Sequence, residues 1–163
     1  MSAKTSAVIK ICSKTTSFII CSDKKIVFWG AVGGGEYHII NDVSQCLQLK
    51  FNDAEQLTKA KGVCLCEAIG IKEDRILAEV IGDRVEQLFR VIKEELKIQG
   101  LLERISCFFI TKDDNYIPDM DILLNKVMGI EAKCIDLSRI SVHIKEQPNF
   151  VSECYAKFSD EYF

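Results

Sequence analysis

The chain has 163 residues, of which 48% are apolar and 28% are charged, and its formal net charge is −3. That length is enough for one domain with a real core, either compact or divided into two lobes. The negative charge disfavours a nucleic-acid partner, because such binding relies on neutralising phosphates. No apolar run reaches the roughly 20 residues that span a bilayer, and residues 1–14 lack the apolar core of a signal peptide.

Eight cysteines raise the question of disulfides or zinc. Most of them lie within apolar strand-like or helix-like patterns, where free cysteine behaves as a small hydrophobe. Cys64 and Cys66 form the one close pair but lack C-x-x-C spacing, and His38 and His143 are far apart in sequence. We therefore expect reduced structural cysteines, no metal site and a reducing cytoplasm.

The first part of the chain shows the pattern of three short strands, at residues 7–12, 16–21 and 26–32. The polar connections between them are only a few residues long. Connections of that length predict an antiparallel meander, since parallel strands need a longer crossover.

Three glycines at 33–35 follow the meander and lead into two helices. In the second helix, Asn52 is the predicted N-cap with Glu55 three positions later, and Gly62 is the predicted end. The apolar stripe of the first helix is predicted at Ile39, Ile40, Val43, Cys46 and Leu47, and that of the second at Ala54, Leu57 and Ala60.

The rest of the chain alternates between helix and strand. Apolar residues keep helical spacing from 73 to 99, which predicts one long helix that closes at Gly100. Pro118 is the predicted first residue of a shorter helix, which ends before Gly129. The full set of later elements is a short strand region at 63–71, the long helix, strands at 105–111 and 131–135, and helices at 119–128 and 150–162. This order predicts an α/β fold with a mixed sheet and flanking helices.

Four stretches of the chain resemble the actin-like ATPase family, in particular its FtsA group of bacterial cell-division proteins. They are the strand-turn-strand at 8–20, the glycine run and helix at 34–43, the helix at 54–62 and the long helix at 77–96. The resemblance covers nearly the whole chain. It implies the second actin-like domain, with a ribonuclease H-like sheet at 1–51 and 101–163 and a small inserted subdomain at 52–100.

The resemblance also implies a site for ATP and Mg²⁺. It places Gly34, Gly35 and Glu55 against the nucleotide, with the turn between the first two strands as a phosphate loop. The alternative for the two glycines is a permissive turn at the entry to a helix.

The chain departs from the family pattern where phosphate and metal would bind. Lys10 stands at the position of an acidic metal-holding residue, Cys12 stands where a glycine is expected, and Lys112 follows the strand end in place of a Thr-Gly-Gly turn. Side chains at these points block the close backbone approach that a phosphate needs. We therefore expect weak or absent nucleotide binding and no catalysis by this chain alone.

A peptide site is implied on the long helix. In the FtsA group, a scaffold at the division site binds the C-terminal tail of FtsZ, and Arg84 matches the arginine used for that acidic and apolar tail. Gln87 and Lys93 are further candidates. The alternative for Arg84 is a solvated charge paired with Glu79 or Glu86.

Two other functions stay open at this point. The chain could be the ATP-binding half of an actin-like ATPase, or a degenerate actin-like adaptor of another assembly, such as a pilus system. The resemblance implies self-association into filaments and a cytoplasmic location, with no membrane segment in this chain. The location is peripheral to the inner membrane at the division site if the full protein carries the family's membrane helix.

Overall fold

The structure is a computed structural model that describes residues 5–23, 25–63 and 72–136. Its strands form one sheet of five in the order β3-β2-β1-β4-β5. The first three pair antiparallel, whereas β1 with β4 and β4 with β5 are parallel pairs. The strands are β1 (Thr5–Ile11), β2 (Thr15–Ser22), β3 (Lys25–Gly33), β4 (Ile105–Lys112) and β5 (Ala132–Asp136). The predicted mixed sheet with a three-stranded meander is confirmed.

The described helices are α1 (Glu36–Leu47), α2 (Phe51–Lys61), α3 (Lys72–Ile98) and α4 (Met120–Met128). A single 3-10 turn, Leu102–Arg104, leads into β4. None of the helices that the structure describes is long and apolar enough to cross a bilayer.

The two faces of the sheet carry separate clusters of buried residues. On one face, strand residues such as Phe18 and Phe108 join residues of all four helices in the large core, for example Ile39 of α1 and Phe89 of α3. The other face carries a smaller buried cluster of strand residues, which comprises Val8, Ile19, Cys21, Cys107, Phe109 and Ile135. All four described helices therefore lie on one side of the sheet.

The apolar stripes of α1 and α2 differ from prediction at their C-terminal ends. Cys46 and Ala60 are exposed, although both were predicted to be buried. In α2 the buried neighbour of Ala54 is Thr58, one turn later, and its hydroxyl donates to the Ala54 carbonyl at 2.7 Å. A polar residue can occupy this place because its own helix satisfies the hydroxyl.

Two predicted helix starts are also wrong. The N-cap of α2 is Lys50, which has extended backbone and no side-chain cap, so Asn52 lies inside the first turn. α4 begins at Met120, and Pro118 lies before its N-cap Asp119. The Pro118 carbonyl instead accepts the backbone N–H of Val63 at 2.9 Å. Pro118 therefore makes a contact with the segment that follows α2 and is not part of the helix.

The glycine predictions at helix ends hold. Gly62 and Gly129 follow α2 and α4 with φ of 68° and 72°, and Gly100 follows α3 with φ of 65°. The predicted strand region at 63–71, the Cys64 and Cys66 pair, His143 and the helix at 150–162 lie wholly or mostly outside the described residues. The division into a sheet domain and an insert at 52–100 stays a prediction.

Candidate functional site

Several loops meet at one edge of the sheet, which we call the carboxyl edge. The parallel strands β1, β4 and β5 all end there, followed by the β1–β2 turn at 12–14 and the loop at 113–119. β3 also ends there, and its glycine turn leads into α1. In α/β folds, ligands bind in the crevice outside the carboxyl ends of the strands. This edge is therefore the candidate site for a nucleotide.

The N-terminus of α1 is already bonded to the β1–β2 turn. The backbone N–H groups of Glu36 and Tyr37 donate to the carbonyls of Cys12 and Ser13, at 3.0 Å and 2.8 Å. The first amides of a helix have no partner within the helix and are the groups that bind anions. In this chain two of them bind backbone carbonyls instead.

The two glycines of the predicted site serve this contact. Gly35 has extended backbone with φ of −163°, and a Cβ there would lie 2.2 Å from the carbonyl oxygen of Cys12. Gly34 has φ of 117°, which favours glycine, and its carbonyl accepts the Thr16 hydroxyl at 2.9 Å. Position 35 thus requires glycine because a side chain there would collide with the turn, and position 34 favours glycine because of its positive φ. Both residues lie where α1 packs against the turn.

Charges at the same edge have partners within the chain. Lys10 Nζ lies 3.5 Å from Asp113 Oδ2, and each side chain is about one fifth exposed. Lys112 Nζ lies 5.8 Å from the ring centroid of Tyr116. Burial raises the pKa of the Cys12 thiol, although nearby Lys10 opposes the shift. The thiol at this edge is therefore protonated at neutral pH.

Glu55 is connected to α1 through a lysine. Lys59 Nζ lies 3.0 Å from Oε1 of Glu55 and 3.0 Å from Oε1 of Glu36, whose side chain is buried in the first turn of α1. Burial lowers the pKa of Lys59, but the two carboxylates outweigh it and raise that pKa above its usual value. We call Glu36, Lys59 and Glu55 the charge triad; it joins α1 to α2.

The predicted peptide-binding residues lie along α3. Arg84 Nε lies 2.5 Å from Asp42 Oδ2 of α1, and its Nη1 donates to Gln87 Oε1 at 3.2 Å. The Arg84 and Asp42 side chains are 36% and 26% exposed. Lys93 Nζ donates to the carbonyl of Val127 at 2.5 Å, which ties α3 to the last turn of α4. All three candidates therefore have partners within the chain: Arg84 bonds Asp42 and Gln87 at the surface, and Lys93 bonds α4.

Sequence reasoning missed the partners of these residues. The alternative to a peptide anchor was a pairing of Arg84 with Glu79 or Glu86, but the structure pairs it with Asp42, which lies 42 residues away in the chain. Lys59 could have been found from the sequence, because it follows Glu55 by four residues on a helix. The pairing of Arg84 has no such local signal.

The described cysteines are all free: Cys12, Cys21, Cys46, Cys107 and Cys134. Within residues 5–23, 25–63 and 72–136, no group of three or more His, Cys, Asp or Glu side chains is placed to hold a metal ion. Cys134 is exposed, and its Sγ lies 2.9 Å from the hydroxyl of Tyr116.

Comparison with known proteins identifies the fold. No protein-family model and no curated protein matches the chain. Solved structures do match: a chain of the PilM–PilN type IV pilus biogenesis complex has a TM-score of 0.67 at 11% identity, over 82% of this chain and 36% of that one. MreB5 of Spiroplasma citri bound to ADP has a TM-score of 0.68 at 14% identity, over 80% of this chain and 48% of that one.

The ethanolamine utilization protein EutJ from Carboxydothermus hydrogenoformans matches with a TM-score of 0.59 at 17% identity, over 82% of this chain and 44% of that one. The chain thus spans between 36% and 48% of the lengths of these three proteins. The neighbours have the actin-like fold, so the predicted fold is confirmed. The assignment to the FtsA group within that fold stays a prediction.

Proposed function

We propose that this chain is an actin-like scaffold domain that holds a partner protein in an assembly and does not hydrolyse ATP by itself. The observation that carries the proposal is the occupied N-terminus of α1. The amides of Glu36 and Tyr37, which a phosphate would need, already bind the carbonyls of Cys12 and Ser13.

The residues present at the carboxyl edge do not fit Mg²⁺-ATP. Hydrolysis of ATP needs a phosphate held by a metal ion and a positioned water. Lys10 stands where an acidic metal-holding residue is expected, and it pairs with Asp113. A phosphate at this edge would have to break that pair and two backbone hydrogen bonds, each worth about 1 kcal/mol.

A titration with a fluorescent ATP analogue and Mg²⁺ tests the proposal directly. We expect no saturable binding up to about 1 mM nucleotide, while a nucleotide-binding actin-like protein serves as the positive control. Thermal unfolding with and without Mg²⁺-ATP gives a second measurement, because ligand at 100 times its dissociation constant stabilises a protein by about 2.7 kcal/mol. Micromolar binding, or a clear rise in melting temperature, would favour the ATP-binding half of an actin-like ATPase instead.

For the partner, we propose the C-terminal tail of FtsZ, which the resemblance indicates. Arg84 is the candidate anchor, because it is partly exposed beside Gln87 on α3 and can bind a carboxylate in a bidentate way. Its present partner is Asp42. A carboxylate of the tail would therefore compete with Asp42 for the same guanidinium group.

This competition defines the experiment. In calorimetric titrations with an FtsZ tail peptide, Arg84→Glu should abolish binding, whereas Asp42→Asn should tighten it because the guanidinium loses its internal partner. Lys126→Glu provides a matched charge reversal on α4 and should leave the affinity unchanged. If Arg84→Glu and Lys126→Glu behave alike, Arg84 is not the anchor.

A pilus-type adaptor is the second candidate. It is favoured by the match of 82% of this chain to a chain of the PilM–PilN type IV pilus biogenesis complex. The same titration with a PilN peptide separates the two candidates. Binding of the PilN peptide without binding of the FtsZ tail would replace the cell-division proposal with the pilus proposal.

A further inference from the structure

β3 forms an open edge of the sheet. Within the described part of the chain, it pairs with β2 along its length and has no strand on its other side. Every second backbone N–H and C=O of such a strand points away from the sheet and can pair with another chain. Proteins usually protect such an edge with charged residues, proline or a bulge. The segment 28–33 of β3 contains none of these, since the register shift of this strand pair lies at Val27.

Large apolar side chains are exposed along this edge. Trp29 is 66% exposed and Val27 is 49% exposed. A tryptophan contributes strongly to binding when a partner buries it. The opposite edge is different, because β5 has only five residues and carries Lys133 and Asp136. The apolar edge of the sheet is therefore β3.

We propose that β3 pairs antiparallel with β3 of a second copy of this chain, around a two-fold axis at Gly30. The strand has a bulky half at 26–29 and a small half at 30–33, which reads Gly-Ala-Val-Gly. Antiparallel pairing around Gly30 sets the bulky half of each copy against the small half of the other. Trp29 then lies opposite Ala31 of the second copy, and two five-stranded sheets become one sheet of ten strands.

Charge and backbone geometry favour a copy in this orientation. Lys25 is the one charged residue of β3, and antiparallel pairing puts the two copies of Lys25 at opposite ends of the contact. Parallel pairing would place them side by side. A register shift between Ile20 and Cys21 of β2 leaves Val27 without a direct partner there, so the regular ladder covers 28–33. The new pairing is therefore centred in the regular part of the strand.

The proposed dimer does not depend on nucleotide or tail binding, and it would give the scaffold two copies of its α3 surface. Because the contact is confined to one strand of each copy, we expect a dissociation constant in the micromolar range.

Sedimentation velocity between 1 and 200 µM tests the proposal. The wild type should shift from monomer to dimer across this range, whereas Trp29→Lys and Ala31→Lys should raise the dissociation constant at least tenfold. Ile98→Lys is the matched control, since Ile98 is 77% exposed on α3 and should not affect the dimer. Far-UV circular dichroism of each variant verifies that it is folded. A wild type that stays monomeric at 200 µM overturns the proposal, and so does dimerisation that neither β3 variant weakens.

Hydrogen exchange identifies the contact by a second route. The outward-pointing amides within 28–33 should exchange more slowly at 200 µM than at 1 µM, while the amides of β5 should be unaffected. Slower exchange in β5 or α3, with none in β3, would assign the dimer to a different surface and overturn the proposal.

Discussion

The carboxyl edge and the β3 edge border the same sheet, but their polar groups differ in how they are satisfied. At the carboxyl edge, the α1 amides bind the β1–β2 turn, and Lys10 pairs with Asp113. At the β3 edge, alternate backbone groups have no strand partner among the described residues, and Trp29 is exposed. The edge where the fold family leads us to expect a ligand is the one whose groups are occupied.

This difference shows that fold and residue type do not by themselves make a binding site. Helix amides bind an anion only if they are free, and here carbonyls of the same chain have taken that position. An edge strand, in contrast, can bind another strand because its outward backbone N–H and C=O groups have no partner in the sheet. The following predictions test both sides of this comparison.

The largest effect is expected for Gly35→Ala. The new Cβ would lie 2.2 Å from the backbone oxygen of Cys12, so α1 must move away from the β1–β2 turn. We expect a loss of about 3 kcal/mol in the free energy of unfolding. Urea denaturation measures it.

Gly33→Ala is the matched control, because a Cβ at Gly33 meets no atom within 4 Å. It should change stability by less than about 0.5 kcal/mol. If the two variants are equally stable, the turn and the helix are not in close contact, and the carboxyl edge is open.

A smaller loss is expected when the charge triad is broken. Lys59→Met leaves the carboxylate of Glu36 buried without its cation, which should cost about 2 kcal/mol. Adding Glu36→Gln should recover part of that loss, because the buried charge is then gone. Lys61→Met is the control, since Lys61 is 48% exposed and pairs loosely with Asp74. Equal losses in the two lysine variants would mean that the buried carboxylate of Glu36 does not depend on Lys59.

The pH dependence of stability tests whether water is excluded from β2, the strand that pairs with β3. Burial raises the pKa of Cys21 on β2 from 9.0 to about 11. The unfolded thiol therefore ionises first, and this contribution to stability is present below pH 9 and is lost as the pH rises toward 11. Between pH 8 and pH 10 the wild type should lose about 1 kcal/mol more than Cys21→Ala. If the two proteins lose the same stability between pH 8 and pH 10, water reaches the Cys21 thiol in the folded protein.

The regular elements could be predicted from the sequence because their signals are local. The helical spacing in 73–99 corresponds to α3, and glycines with positive φ end α2 and α4. Two of the errors concern helix starts, where a residue type alone was read as a cap or a first residue. Asn52 is a residue type that often caps helices, yet α2 begins at Phe51 with Lys50 as its N-cap. Pro118 precedes the N-cap of α4, and its carbonyl accepts the backbone N–H of Val63.

The candidate site shows the same difference between features that one residue reveals and features that depend on distant contacts. The departure at Lys10 was visible in the sequence, because it concerns one residue in one motif. The closure of the edge was not visible, since it depends on hydrogen bonds from Glu36 and Tyr37 to a turn more than twenty residues earlier. Backbone hydrogen bonds of this kind depend on position more than on side-chain type, so the glycine run alone did not reveal them.

The smallest predicted effect concerns the Arg84–Asp42 pair. Its strength tests whether Arg84 on α3 can bind a partner or is held by contacts within the chain, as the groups at the carboxyl edge are. The pair is partly exposed, so Asp42→Asn and Arg84→Gln should each cost no more than about 1 kcal/mol, and the double variant should cost less than their sum. Urea denaturation of all four proteins at low and high salt measures the coupling and its screening. A coupling above about 2 kcal/mol that salt does not reduce would show that the guanidinium is committed to α1, because such a pair exchanges poorly with solvent and ligands. The α3 surface would then be closed like the carboxyl edge, and β3 would be the surface left for a partner.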